Sequence, residues 1–307
     1  MSAQQVLFDK PGPKAIARYR ILAVIGALFI GAILAWILWR MEQRGQLTAA
    51  KWSPFLTASA WTNYYLPAIW DTLRAALTAI VISVILGLAL AMGRMSDIGL
   101  IKWATTVFVE FFRAVPVLIM MIFTFYYLTS NADWFPNASA PFTGVVVGLV
   151  LYNSSVICEV IRSGVSSLPK GQREAGLSIG LSGPQTRRMI LVPQALTSML
   201  PSLVSQVIVI LKDTALGYII LYPELLTRAR QLGSAEANVL PAYLVAAAMF
   251  VLINYTLSKV AEGVENRQRR RNANAAKPKK GDDATEPAGA AGHADRSMEF
   301  NKQTEAM

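Results

Sequence analysis

Long apolar segments separated by short polar ones dominate the pattern of the chain. Six of them cover residues 21–39, 73–92, 103–127, 143–161, 195–221 and 240–260. A helix needs about 20 apolar residues to cross the hydrocarbon core of a bilayer, where the backbone must satisfy its own hydrogen bonds. The pattern therefore predicts an all-α polytopic membrane protein with about six transmembrane helices.

The third apolar segment is longer than one span requires. Its first part extends to Arg113, and Pro116 follows closely. The residue before a proline avoids the helical conformation. We therefore expect the first part to lie along the inner membrane interface, with a second helix turning into the membrane at Pro116.

The distribution of basic residues predicts the orientation of the spans. Residues 114–161 contain no Lys or Arg, whereas the polar segment that follows contains Arg162, Lys170, Arg173, Arg187 and Arg188. Because cytosolic loops carry the excess of Lys and Arg, this segment and both termini are predicted to be cytosolic. The first outer loop, with basic residues at 40, 44 and 51, goes against the rule.

The same pattern divides the chain into three regions. Residues 1–20 form a cytosolic N-terminal segment, residues 21–265 the transmembrane domain, and residues 266–307 a basic tail. The first apolar segment exceeds the roughly 7 to 15 residues of a signal peptide, so a retained helix is expected. The tail lacks an apolar period and is predicted to be disordered. Its arginine cluster either contacts anionic lipids or only fixes orientation.

Composition excludes several classes of function. With 54% hydrophobic and 16% charged residues, the chain does not fit an ordinary soluble domain. Its net charge of +10 lies at the edges of apolar segments, so no nucleic-acid partner is expected. One cysteine, Cys158, and one histidine, His293, supply neither a catalytic cluster nor a metal site. Without a P-loop motif the chain is expected to bind no cofactor, and any ATP chemistry must be a partner's.

A polar, basic island at residues 174–193 predicts two short helices that meet at a bend. Ser167 is the expected N-cap of the first helix, and Pro169 fits its first turn because the missing N–H would go unpaired there. Gly180 supplies the left-handed residue that ends this helix.

The second short helix restarts at once. Ser182 and Gln185 have the spacing of a capping box, in which hydroxyl and amide each bond the other residue's backbone N–H. Pro193 is expected to break or kink this helix.

The small residues beside Glu174 leave a shallow surface on which another protein's backbone can rest, which favours a docking platform. The island resembles the EAA signature of ABC importer permeases, E-A-A-x3-G-x9-I-x-L-P. The matching residues are Glu174, Ala175, Gly176, Gly180, Ile190 and Pro193. In that family the loop fits into a cleft of the ATP-hydrolysing subunit, so the resemblance implies that these residues couple the chain to an ATPase.

The island departs from the signature at two positions. Gly176 replaces the second Ala, and Val192 replaces Leu. Both changes in size are small, although Gly176 is expected to weaken the first helix by roughly 1 kcal/mol. The alternative interpretation of the island is an amphipathic helix pair lying on the membrane surface.

Further motifs resemble the polar amino-acid subfamily of these permeases over about residues 66–265. They are Glu110-x-x-Arg113-x-x-Pro116, Glu159-x-x-Arg162-x-Gly164, Pro169-Lys170-Gly171-Gln172, Pro193-Gln194-Ala195 and Lys212-Asp213-Thr214. The resemblance implies the ABC type I importer permease fold in a bacterial plasma membrane. It also implies the partners: a cytosolic ABC ATPase dimer using ATP and Mg, a second permease subunit, identical or homologous, an external solute-binding protein and an amino-acid substrate.

Polar and ionisable side chains inside the spans are candidates for lining the substrate path. They are Arg113, Asn153, Lys212, Asp213 and Thr214. Structural alternatives stay open for them. Arg113 can pair with Glu110 on the same helical face, Asn153 can hydrogen-bond to a neighbouring helix, and Lys212 and Asp213 can belong to a packing pair.

An acidic amino acid, glutamate foremost, is the expected substrate. The extra N-terminal span and the basic tail resemble permeases of glutamate uptake systems, and Arg113 and Lys212 offer attraction to a carboxylate. Basic or neutral polar amino acids are the alternative. A membrane enzyme would need a cluster of nucleophile, base or metal ligands, and an ion-gradient transporter usually shows an internal repeat. The sequence displays neither feature, so the chain is not expected to be an enzyme.

Overall fold

The computed structural model describes residues 12–275 of the chain, and this part is helical without β-strands. Its α-helices are α1 Pro13–Gln43, α2 Ala49–Trp52, α3 Ala58–Ala60, α4 Leu66–Arg94, α5 Gly99–Ala114, α6 Val117–Asn131, α7 Ala140–Ser166, α8 Lys170–Ser178, α9 Gly183–Thr186, α10 Val192–Ser198, α11 Leu200–Asp213, α12 Leu225–Ala235 and α13 Val239–Ala275. Tighter 3₁₀ turns cover Ser53–Leu56, Asn137–Ser139 and Thr214–Ile220, and wider π turns cover Trp61–Tyr65 and Arg187–Leu191.

Long apolar helices confirm the predicted membrane architecture. The segments Pro13–Gln43, Ala58–Arg94, Asn137–Ser166, Leu200–Ile220 and Val239–Val260 are each long and apolar enough to cross a bilayer. The pair α5 and α6 meets the same criterion when its two helices are taken together, although it is bent by 98°. The total of five spans, or six with the bent pair, agrees with the sequence.

The bend between α5 and α6 lies at the predicted proline. α5 ends at Ala114, Val115 is extended at φ −83° and ψ 129°, and Pro116 is the N-cap of α6. Because the proline ring disfavours the helical conformation of the residue before it, the chain cannot continue α5 through Val115. The bend directs the two halves of one apolar segment along different axes.

Helix α7 occupies the centre of the bundle. It contacts α4, α5, α6, α10 and α11, and its buried residues lie on more than one face. A glycine permits the closest of these contacts: a Cβ added to Gly148 would lie 2.5 Å from Cγ of Met121 and 2.9 Å from its backbone nitrogen. Small residues at such points let membrane helices approach closely enough for dispersion contacts to accumulate.

Helix α1 differs from the other spans because none of its residues is buried within the described chain. Large apolar side chains such as Leu28, Phe29 and Trp36 are more than half exposed. A helix that is apolar all round suits a lipid environment.

The chain divides into two compact units, with the boundary after Ser258. The first carries the bundle. In the described part of the second, Lys259 pairs with Glu262 at 2.8 Å on a helix that continues to Ala275. Helix α13 thus includes residues 266–275 of the expected tail, and the prediction of disorder beyond them falls outside the described residues.

The segment from 224 to 238, between two spans, contains helix α12. Its apolar residues Leu225, Ala229 and Leu232 are buried in one cluster with Tyr65 and Ala242. Their i, i+4, i+7 spacing forms a stripe on one helical face. The mixed charges on the other face make this period hard to recognise in the sequence.

A buried carboxylate caps α12. The Glu224 side chain is fully buried and accepts hydrogen bonds from the N–H of Leu226 at 2.8 Å and from the N–H of Thr227 at 2.7 Å. The Thr227 hydroxyl donates a third bond at 3.0 Å. Burial nevertheless raises the pKa of Glu224 to about 7 from 4.5, since desolvation of the charge outweighs these bonds.

This raised pKa predicts a pH-dependent stability. A carboxyl whose folded pKa is raised stabilises the fold fully below its unfolded pKa, and that contribution is lost as pH rises through the folded pKa of about 7. We expect the melting temperature of the purified protein to fall between about pH 4.5 and pH 7, the window that lies between the two pKa values.

The variant Glu224→Gln keeps an acceptor oxygen without the charge, so its melting temperature should depend less on pH. Glu236→Gln, at the exposed end of the same helix, is the matched control and should follow the wild type. Parallel pH profiles for the wild type and Glu224→Gln would show that Glu224 does not titrate in this range.

Candidate functional site

The island of the EAA-like signature forms a helix pair, which we define as α8, the turn after it, α9 and the π turn Arg187–Leu191 that continues α9. Gly180 lies at φ +84°, in the left-handed region that ends helices. The N–H of Leu181 donates to the carbonyl of Gly176 at 3.2 Å, and the N–H of Gly180 donates to that of Leu177 at 3.0 Å. These two bonds form a Schellman motif, as expected for a helix ended by glycine.

The start of α8 differs from the prediction. Pro169 is itself the N-cap and supplies no side-chain hydrogen bond. The Ser167 hydroxyl donates instead to the carbonyl of Gly164 at 2.9 Å. Ser167 is therefore not the cap, because its side chain bonds back to the last turn of α7.

The capping box of α9 is confirmed. The N–H of Ser182 donates to Oε1 of Gln185 at 2.8 Å, and the N–H of Gln185 donates to the Ser182 hydroxyl at 3.5 Å. The helix does not break at Pro193, and the alternative of a kink there stays a prediction. The π turn Arg187–Leu191 leads directly into α10, and Pro193 lies in its first turn, where a missing N–H costs little.

Gly176 holds α8 against the second helix. It is buried, and a Cβ added to it would lie 2.6 Å from Cγ2 of Thr186 and 3.0 Å from Cδ1 of Ile190. The signature residue Ile190 thus packs on the signature residue Gly176. Gly176, which replaces the alanine of the signature, makes this close contact possible. The replacement therefore affects the packing between the two helices as well as the helix propensity considered from the sequence.

Polar contacts fasten the pair to its surroundings. Nε2 of Gln194, on α10, donates to Oε1 of Gln172, on α8, at 2.9 Å. The two terminal nitrogens of Arg187 donate to the two carboxylate oxygens of Asp97 at 2.9 Å and 2.6 Å. The bidentate hydrogen bond with Arg187, together with the charges of Arg187 and Arg173, lowers the pKa of Asp97. The helix pair is therefore attached both to α10 and to the turn after α4.

The pair carries several exposed residues. We define the loop surface as Glu174, Ala175, Leu177, Ile179 and Met189, all of which are exposed. The fractional exposure of Ile179 reaches 75% and that of Met189 reaches 64%. The described part of the chain offers the Glu174 carboxylate no hydrogen bond or ion pair, so its charge is available to a partner. An apolar patch with one free carboxylate has the character of a binding surface.

A second charged cluster surrounds Glu159, on α7. Arg94 pairs with Glu159 and also with Glu110 at 2.6 Å. A guanidinium nitrogen of Arg162 lies 3.0 Å from the Glu159 carboxylate, and a guanidinium nitrogen of Arg113 lies 4.0 Å from the same carboxylate. The predicted pair of Glu110 with Arg113 does not form, because Arg94 at the end of α4 takes the Glu110 carboxylate and Arg113 turns toward Glu159.

Two of the other path candidates make hydrogen bonds within the bundle. Asn153 is buried, donates to the carbonyl of Leu149 at 2.8 Å and accepts from Nε2 of Gln206 at 2.5 Å. Thr214 is also buried and donates to the carbonyl of Leu211 at 2.7 Å. For Asn153 this is the hydrogen bond to a neighbouring helix that the sequence left open.

Lys212 and Asp213 lie where α11 changes into a 3₁₀ turn. Lys212 is exposed and Asp213 is half-buried. Across residues 12–275 neither side chain has an ion-pair partner. The described residues therefore show no ion pair of the kind that the packing-pair alternative requires. No hydrogen bond or ion pair in this range joins any of the five path candidates to another, and their role in lining a path stays a prediction.

Sequence reasoning missed Arg94 and the pair of Asp97 with Arg187. Both contacts join positions far apart in the chain, 65 residues for Arg94 with Glu159 and 90 for Asp97 with Arg187. Within the described residues no group of three or more His, Cys, Asp or Glu is arranged to hold a metal ion.

Comparison with known proteins assigns the chain to a family. Residues 79–270 match the family described as "Binding-protein-dependent transport system inner membrane component". The glutamate transport system permease protein GluD of Corynebacterium glutamicum is 43% identical over 229 residues, which cover 75% of this chain and 84% of that protein. The probable glutamine ABC transporter permease protein GlnP of Bacillus subtilis is 36% identical and covers 68% of this chain and 97% of its own length.

Solved structures agree with these matches. A chain from the "Crystal structure of an amino acid ABC transporter with histidines" superposes with a TM-score of 0.62 at 29% identity, covering 69% of this chain and 98% of that one. The MetNI methionine ABC transporter gives a TM-score of 0.56 at 15% identity, which supports the fold alone. Over most of its length this chain therefore has the fold and the sequence of an ABC importer permease, and it belongs to the family of binding-protein-dependent transport system inner membrane components.

Proposed function

We propose that this chain is the translocation subunit of an ATP-driven amino-acid importer and that the helix pair couples it to a cytosolic ABC ATPase. The observation that carries the proposal is the loop surface, in which a carboxylate without a partner in the described chain stands among exposed apolar residues. ATP binding and hydrolysis take place on that separate subunit. A second permease subunit and an external solute-binding protein complete the importer.

Coupling requires that a push on the loop surface move the bundle. The Schellman turn fixes the angle within the helix pair, and the contacts of Gly176 with Thr186 and Ile190 lock its two halves together. Bonds to Gln194 and Asp97 then pass the movement to α10 and to the turn after α4. ATP shifts the bundle between inward-open and outward-open states only by its differential affinity for them.

The coupling role predicts the effect of two substitutions. Gly180→Pro requires φ near −65° in place of +84° and removes the N–H that bonds Leu177, a local cost of about 3 kcal/mol or more. Glu174→Lys reverses the charge offered to the partner. We expect both variants to reach the membrane, but their rate of substrate uptake should fall at least about tenfold. Less ATPase subunit should copurify with them than with the wild type.

Glu236→Lys is the matched charge reversal on an exposed acid outside the helix pair, and it should transport normally. Wild-type uptake by both Gly180→Pro and Glu174→Lys would mean that the pair is not the coupling element. A helix pair that only lies on the membrane surface should tolerate the charge change.

We further propose that the helix pair and both termini face the cytosol. This orientation rests on the positive-inside rule and on the need for the loop surface to reach the cytosolic ATPase subunit. In a Cys158→Ala background, which removes the buried native thiol, Ser139→Cys should be labelled by an impermeant maleimide on intact cells. Ser178→Cys should be labelled only after permeabilisation. The opposite pattern would reverse the topology.

Glutamate is the substrate we propose. GluD is named for glutamate, and the permease protein GltK of Escherichia coli, 27% identical, is named for glutamate and aspartate. The exposed Lys212, which has no ion-pair partner in the described chain, suits attraction to a carboxylate. Histidine or another basic amino acid is the second candidate, since the 29% identical solved structure is of an amino acid transporter with histidines.

Competition distinguishes the two candidates. Cells that lack the gene and then regain it should take up labelled glutamate only after complementation. Excess unlabelled glutamate or aspartate should inhibit this uptake, whereas arginine and histidine should not. If arginine competes best, or glutamate is not transported, the acidic assignment fails while the importer assignment stands.

A further inference from the structure

A cavity lies at the ends of two spanning helices. It encloses about 730 Å³ and is lined by Arg94 at the end of α4, by Ser166 at the end of α7, and by Thr106 on α5. We call it the basic cavity because cations dominate its charged lining. Its charged residues are Arg94, Asp97, Lys102, Arg162, Lys170, Arg173 and Arg187. Since the spans end here, the cavity lies at the level of the membrane surface.

Acidic partners already neutralise part of this charge. Arg187 pairs with Asp97 at 2.6 Å, while Arg94 and Arg162 both pair with Glu159. These contacts hold the wall of the cavity in place and leave little attraction for a further anion.

Three cations of the lining have no ion-pair partner in the described chain, although the charge of Arg173 also acts on Asp97. Lys102, Lys170 and Arg173 are exposed, and the described chain gives none of them an ion pair. Three positive charges around one concave space create a potential that only an anion relieves. The cavity therefore suits a negatively charged group.

The start of α8 adds to this potential. Pro169 and Lys170 line the cavity, the cap supplies no side-chain hydrogen bond, and the first turn contains no acidic residue. The first N–H groups of a helix have no partner within it, and the helix dipole places partial positive charge there. Together with Lys102 and Arg173, this end of α8 suits a phosphate group.

An apolar stripe runs along α5 beside the cavity. Leu100, Trp103, Val107 and Phe111 are exposed by 74%, 65%, 49% and 58%. Their spacing of three and four residues aligns them on one face of the helix. Lys102 and Thr106 of the same helix line the cavity. A soluble anion would need only the cavity, whereas the cavity and the stripe together match a charged headgroup with acyl chains.

We infer that the basic cavity binds the phosphate of an anionic phospholipid whose acyl chains lie along the stripe of α5. The headgroup phosphate then occupies the space between Lys102, Arg173 and the start of α8. Because the same cavity includes Arg187 and Asp97, which fasten the helix pair, the lipid is bound next to the element proposed for coupling. Lipid binding at this site does not depend on which solute is transported.

The test is lipid titration of the full-length protein, purified with its accompanying subunits and delipidated in detergent. Native mass spectrometry measures binding of phosphatidylglycerol and of phosphatidylcholine. We expect the first phosphatidylglycerol to bind more tightly than phosphatidylcholine. In the double variant Lys102→Gln/Arg173→Gln, the ratio of the affinity for phosphatidylglycerol to that for phosphatidylcholine should fall roughly 5-fold for each removed charge. Arg44→Gln/Arg188→Gln removes two exposed arginines outside the cavity and should bind as the wild type does.

A second variant separates lipid from a soluble anion. Trp103→Ser shortens the apolar stripe without changing charge, and it should weaken phosphatidylglycerol binding while the protein keeps its melting temperature. Equal binding of both lipids, or unchanged binding by the cavity variant, would overturn the inference. It would also fail if inorganic phosphate displaced the lipid and Trp103→Ser had no effect. Loss of the ATPase subunit from the cavity variant, with lipid preference intact, would assign the cavity to a subunit contact instead.

Discussion

Close packing around α7 is the constraint on which the other features depend. In a bilayer no hydrophobic force drives helices together, because lipid tails are as apolar as the side chains, and helix contact relies on dispersion and on small residues. Gly148 lets the backbone of α6 approach through Met121, and α4 lies along another side of α7. This packing fixes where α4 and α7 end. The charged residues at those ends, Arg94 and Arg162, therefore meet around Glu159.

The charged ends connect the apolar bundle with the polar helix pair. Arg94 draws α4, α5 and α7 together through its two carboxylate partners. A few residues later, Asp97 receives both terminal nitrogens of Arg187. Bidentate arginine contacts have a fixed geometry and hold more firmly than a single hydrogen bond. The helix pair therefore inherits its position from the bundle, which is what a rigid coupling element requires.

Local features of the helix pair were predictable from the sequence, whereas its tertiary contacts were not. The left-handed Gly180 and the capping box of Ser182 and Gln185 depend on neighbours within a few residues, and both appear as expected. The break at Pro116 follows the same logic. By contrast, the ion-pair partner of Glu110 depends on where α4 ends. The path of the chain through Pro193 depends on the preceding π turn, which no residue spacing in the sequence predicts. Helix α12 was missed because a short amphipathic stripe competes poorly with mixed charge in a sequence pattern.

The glycine at position 176 shows how magnitudes decide between local and tertiary effects. On a helix, glycine costs roughly 1 kcal/mol relative to alanine. At this position, however, the methyl group of alanine would lie 2.6 Å from the methyl group of Thr186. Thr186 is buried, and its hydroxyl is held by the carbonyl of Ser182 at 3.0 Å, so it has little room to move. Overpacking of this kind costs about 1 to 3 kcal/mol. The cost of overpacking an alanine at position 176 thus matches or exceeds the cost of a glycine in the helix. The methyl group of Thr186 fills the space that the alanine side chain of the signature would occupy.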